Sequence, residues 1–150
     1  MARVLIVGCG CRGQELAREL AGAGHAVRGT TRDPGRLAAI EAAGAEGEVA
    51  DPDRLGTLLP LLAGVTVVCW LMGTADNPAL HGKRLESLLA KLVDSGVRGL
   101  VYEGTDSGAE MVRAAGTTYA MPVAVIEEDI SDRAAWVQGA RAAVDDVLTA

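Results

Sequence analysis

The stretch Val4-Leu5-Ile6-Val7-Gly8-Cys9-Gly10-Cys11-Arg12-Gly13 constrains this chain more than any other. An apolar run of strand length meets three glycines spaced G-x-G-x-x-G and gives way to a helical pattern. Strand, glycine turn and helix in that order open a parallel βαβ unit. Gly8 permits a tight turn, Gly10 lets backbone approach a pyrophosphate, and Gly13 lets the helix pack closely on the strand. The helix N-terminus adds free N–H groups and the positive end of its dipole. The competing reading is a glycine-rich turn that holds nothing.

The same alternation continues to the end of the chain. Apolar runs predict strands over Arg3–Val7, Ala26–Thr30, Ala45–Val49, Val65–Leu71, Arg98–Tyr102 and Met121–Ile126. Helical spacing predicts helices over Gly13–Ala23, from Asp33-Pro34 to Gly44, from Asp51 to Leu62, from Asn77-Pro78 to Gly96, over Ser107–Ala115, and over Ser131–Leu148 with Ser131 as cap. Strands apolar on both faces and joined by helices imply a parallel sheet covered on both sides. The expectation is an α/β, three-layer, doubly wound parallel sheet of six strands, with residues 1–150 as a single domain.

Composition narrows the partners. The chain is 49% hydrophobic and carries a net charge of -6. The first figure excludes a disordered chain. The second argues against nucleic acid, whose binders present a basic face. No apolar run approaches the roughly 20 residues of a membrane span, and the N-terminus lacks the pattern of a signal peptide. With three cysteines, too few for a disulfide framework, the expected location is the cytoplasm. Cys9, Cys11 and Cys69 could lie close together, but they fall short of a closed metal site, so no metal is expected.

The end of the second strand bears on which dinucleotide the loop would hold. It reads Gly29-Thr30-Thr31-Arg32-Asp33. Thr31 and Arg32 suit a 2′-phosphate, and Arg12 in the glycine loop could help clamp it. Asp33 could instead take the ribose hydroxyls. The balance favours NADP, with NAD as second choice.

Four segments, VLIVGCGCRG, HAVRGTTRDPGR, GAEGEVADPDRL and LAGVTVVCWLMG, together resemble the atypical and extended short-chain dehydrogenase/reductases, NAD(P)-binding Rossmann relatives of nucleoside-sugar epimerases. The resemblance covers about the first two thirds of the chain. It implies cofactor contacts at Gly8, Gly10, Cys11, Arg12, Gly13, Thr31, Arg32, Glu48, Val49, Leu71, Met72 and Gly73. Glu48 stands where the family has a shorter Asp. The family's catalytic Tyr and Lys, four residues apart, cannot be formed: Lys83 and Lys91, the only lysines, precede both Tyr102 and Tyr119. The family's polar residue near the end of strand five falls on Thr105, with Ser107 beside it, and these two are the catalytic candidates. Tyr102 reads as strand packing, Tyr119 as a loop anchor, and His81 as a surface residue. Two functions follow: an oxidoreductase or epimerase-like enzyme, or a non-catalytic module that senses dinucleotide. Trp136 would either cover the core or anchor a homodimer interface.

Overall fold

A computed structural model describes residues 2–150. Six strands form one all-parallel sheet: β1 (Arg3–Val7), β2 (Ala26–Thr31), β3 (Glu46–Val49), β4 (Val67–Leu71), β5 (Gly99–Glu103) and β6 (Val123–Val125). Their spatial order is β3-β2-β1-β4-β5-β6. The chain therefore winds outward from β1 in one direction, crosses back, and winds outward from β4 in the other. Helices α1 (Cys11–Gly22), α2 (Leu37–Ala42), α3 (Lys83–Val93), α4 (Asp106–Thr118) and α5 (Arg133–Thr149) cover the sheet.

Burial explains why the central strands lack polar alternation. Val4, Leu5, Ile6, Val7 and all of β4 are buried, and their side chains feed two cores on opposite faces. One core joins Ile6, Leu16, Leu20, Cys69, Trp136 and Val144; the other joins Leu5, Val68, Trp70, Leu85, Leu88 and Tyr102. Trp136 is fully buried, so it covers the core and offers no interface anchor. That removes the ground on which a homodimer was expected.

Three helix expectations are corrected. The helix expected from Asp51 to Leu62 is replaced by two short 3-10 turns, Leu55–Thr57 and Leu59–Leu62. Pro60 lacks the N–H an α-helix would need there. Thr57 also diverts the backbone: its hydroxyl accepts from Asp51 N–H at 2.8 Å and donates to the Arg54 carbonyl at 2.7 Å. The helix expected to run unbroken from Asn77 is a 3-10 turn, Pro78–His81, then Gly82, then α3. Asp132, not Ser131, caps α5, its Oδ1 accepting from Ala135 N–H at 3.1 Å.

The first crossover is packed without slack. A Cβ at Gly29 would lie 2.7 Å from Cys9 Sγ and 3.0 Å from an Ile40 methyl. Gly29→Ala is therefore expected to destabilise the fold by about 1–3 kcal/mol, the usual cost of overpacking. Adding Cys9→Ala should recover part of that loss; thermal melts of the single and double variants measure it.

Candidate functional site

Where the winding direction reverses, between β1 and β4, the loops after the two strands part at the carboxyl edge of the sheet. A doubly wound fold places its ligand crevice there. The crevice in this chain is a cleft of about 650 Å³. Gly8 and Gly10 form one wall, Leu71, Met72 and Thr74–Asn77 another, and Thr31, Arg32 and Asp33 lie at the β2 end.

Each glycine of the loop has its own physical reason. Gly8 holds φ +85, and a Cβ on it would sit 2.6 Å from the Leu71 carbonyl oxygen. At Gly13 a Cβ would lie 3.3 Å from both the Gly8 carbonyl oxygen and an Ile6 methyl, so a side chain there would press α1 slightly away from β1. Gly10 differs: a Cβ there meets nothing within 4 Å. Its backbone conformation, φ -81 and ψ -158, is open to any residue. The fold does not need glycine at position 10, and the space beside it opens into the cleft.

Helix α1 begins at Cys11, two residues earlier than the sequence pattern implied. Its first helical bond runs from Gln14 N–H to the Gly10 carbonyl at 2.8 Å. The N–H groups of Cys11, Arg12 and Gly13 thus precede the helical ladder, and no side chain caps them.

The early start moves Arg12. Its guanidinium does not line the cleft; it pairs with the buried carboxylate of Glu103 at the end of β5 and lies over the Trp136 ring, 4.8 Å from its centroid. Glu103 Oε2 also accepts from Trp136 Nε1 at 2.6 Å, and Oε1 accepts from Gly73 N–H at 2.9 Å. Arg12 is therefore corrected as a clamp for a 2′-phosphate. Arg32 is exposed at the β2 end of the cleft and forms no ion pair among the described residues. Asp33 uses Oδ1 to cap the next turn, accepting from Gly35 N–H at 2.9 Å.

Gly8, Gly10, Thr31, Arg32, Leu71 and Met72 line the cleft, whereas Cys11, Gly13, Glu48 and Val49 do not. Ala50, Asp51, Pro52 and Asp53 take the place expected of Glu48 and Val49, because β3 ends at Val49 and the turn after it folds over the opening. Gly73 faces a second cleft of about 530 Å³, shared with Glu103, Thr105 and Glu110. Thr105 caps α4, its Oγ1 accepting from Gly108 N–H at 3.0 Å and lying 3.2 Å from Ser107 Oγ. Ser107 is exposed outside both clefts. His81 is half-buried, with Nδ1 2.7 Å from the Tyr102 hydroxyl, which also accepts from Thr105 N–H at 2.9 Å. The surface reading of His81 is corrected. The sequence reading missed Glu103; a carboxylate closing an apolar strand was the available signal.

No protein-family model matches the sequence, and no curated protein matches it. Solved structures match in fold. Triphenylmethane reductase from Citrobacter sp., complexed with NADP(H), superposes with a TM-score of 0.65 at 19% identity, over 83% of this chain and 48% of that one. UDP-N-acetylglucosamine 4-epimerase from Bacillus cereus gives 0.63 at 14%, over 83% and 53%. An NADPH-dependent quinone oxidoreductase from Escherichia coli gives 0.61 at 16%, over 83% and 46%. The fold is the Rossmann arrangement of these reductases and epimerases, and the chain spans about half the length of each. Among the described residues, no helix is long and apolar enough to cross a membrane.

The three thiols separate by environment. Cys11 is exposed, whereas Cys9 and Cys69 are buried. Burial pushes both Cys9 and Cys69 from 9.0 up to about 12, and for Cys69 the neighbouring Cys9 adds to the rise. A thiol reagent at pH 8 is expected to modify Cys11 alone in the folded chain and all three cysteines after unfolding, as counted by mass spectrometry. The folded state keeps thiol protons that the unfolded chain releases. The stability held by these neutral thiols is intact below pH 9.0 and is lost as the pH rises toward about 12.

Proposed function

We propose that this chain binds a nicotinamide dinucleotide in the cleft between β1 and β4, with NADP(H) preferred over NAD(H). The observation that carries the reading is the contrast among the three glycines. Gly8 is demanded by packing and Gly13 is held tightly by it, while at Gly10 the fold would accept a side chain and the chain has none. A pyrophosphate drawn up to the N–H groups of Cys11, Arg12 and Gly13 would fill that space. The preference for NADP(H) rests on Arg32 and Thr31, which offer a guanidinium and a hydroxyl to a 2′-phosphate, while Asp33 is occupied as a cap. The NADP(H) complex of the Citrobacter reductase supports the same choice.

Such a cofactor supplies hydride transfer. In this chain Leu71 and Met72 would flank the route from the glycine loop toward Gly73, where the second cleft opens. In the oxidoreductase or epimerase-like reading, Thr105 is the polar group at that junction. The reading as a non-catalytic sensing module is favoured by one observation: the Thr105 hydroxyl already accepts from Gly108 N–H as the cap of α4.

Calorimetric titration with NADPH and NADH tests the binding. Gly10→Val is expected to abolish binding of both while leaving the melting temperature within a few degrees of wild type. Arg32→Ala should weaken NADPH by about tenfold, the size of one lost charge-assisted contact, and NADH far less. Equal losses would mean that no 2′-phosphate is read there.

A further inference from the structure

Glu103 is a full carboxylate set at the end of a buried strand, with its side chain only 6% exposed. A buried charge of this kind persists only where its partners compensate it. Each of the three partners comes from a different part of the carboxyl edge. Arg12 belongs to the first turn of α1, between Gly10 and Gly13. Gly73 N–H belongs to the loop that carries Met72 along the cleft wall. Trp136 belongs to α5, and its ring also lies against the Arg12 guanidinium. The contact with Gly73 is close as well: a Cβ there would lie 2.6 Å from the Glu103 carboxyl carbon.

We infer that Glu103 is a positioning residue for the dinucleotide site. The inference rests on the reading of the cleft given above. Through Arg12 the carboxylate pins the first turn of α1, so the N–H groups of Cys11, Arg12 and Gly13 are already aimed before a pyrophosphate arrives. Through Gly73 it fixes the loop on the other side of the same cleft. A site whose donors are ordered in advance binds without the entropic cost of ordering them. The carboxylate itself touches no part of the cleft; it acts through the two loops that do. The effect is confined to the pyrophosphate and nicotinamide portion, because Thr31 and Arg32, which would hold the adenosine end, share no hydrogen bond with this cluster.

The test compares two ligands on wild type, Glu103→Gln, Arg12→Gln and the double variant, each first shown folded by circular dichroism. NADPH spans the whole cleft; adenosine 2′-monophosphate, which has no 5′-phosphate to reach the glycine loop, occupies only the β2 end. Each single variant is expected to weaken NADPH by about tenfold, the scale of one charge-assisted hydrogen bond, and to leave adenosine 2′-monophosphate within about twofold. The double variant should lose less than the product of the two single losses, since both act through one ion pair. Unchanged or tighter NADPH binding in folded Glu103→Gln would overturn the inference. So would parallel losses for both ligands. Should Glu103→Gln fail to fold, Arg12→Gln alone decides by the same ratio of the two ligands. Wild-type protein that binds neither ligand would instead overturn the reading of the cleft, an outcome distinct from the others.

Discussion

The close approach of Gly8 to the carbonyl of Leu71 sets the geometry of everything at the carboxyl edge. With a Cβ position only 2.6 Å from that oxygen, no other residue lets the β1 turn pass so near the end of β4. The turn also needs φ +85, which L side chains rarely adopt. Once the turn is made, Gly13 sits against the Gly8 carbonyl and α1 starts at Cys11, directly after the turn, beside the point where the strand order reverses. The cleft is thus a consequence of backbone packing. Side chains decorate it but do not create it.

The Arg12–Glu103 pair shows the opposite kind of constraint, a costly group held by several partners at once. Two charges withdrawn from water gain little net stability from their attraction. Their value is that they have one arrangement. Here that arrangement ties α1, the loop after β4, β5 and α5 at a single point. The ion pairs Arg133–Glu15 and Arg141–Glu19, between exposed parts of α5 and α1, add only weak support along the same interface. The buried pair sets the register of these elements; the surface pairs follow it.

The sheet was legible in the sequence because its signal is redundant. The central strands β1 and β4 are dominated by β-branched and aliphatic residues, and β1 matches its expected span of Arg3–Val7. The loop glycines were legible from their spacing directly after β1; sterics demand glycine at Gly8, whereas Gly10 is sterically free. The errors lie where local hydrogen bonds compete with periodicity. Thr57 and Pro60 turn an expected helix into two 3-10 turns, and Gly82 interrupts another. Arg12 was misplaced for a different reason. Its role depends on where α1 begins, and a shift of two residues turns a side chain through more than half a helical turn. His81 and Tyr102 are 21 positions apart, so their contact is a product of tertiary structure that no spacing rule could reveal.

The missing Tyr and Lys pair acquires a physical meaning in this setting. In a site built for proton transfer, the hydroxyl that moves the proton must be free to meet the substrate. Here two of the hydroxyls near the end of β5 take part in holding the fold, whereas Ser107 is exposed. Thr105 Oγ1 caps α4, and the Tyr102 hydroxyl is sealed between Thr105 N–H and His81. The buried carboxylate at that edge, Glu103, accepts from Arg12, Trp136 and Gly73. The polar groups at the β5 end are thus arranged for rigidity, and the free donors are gathered instead at the start of α1. Those donors stand beside the cleft in which we propose that the dinucleotide is held.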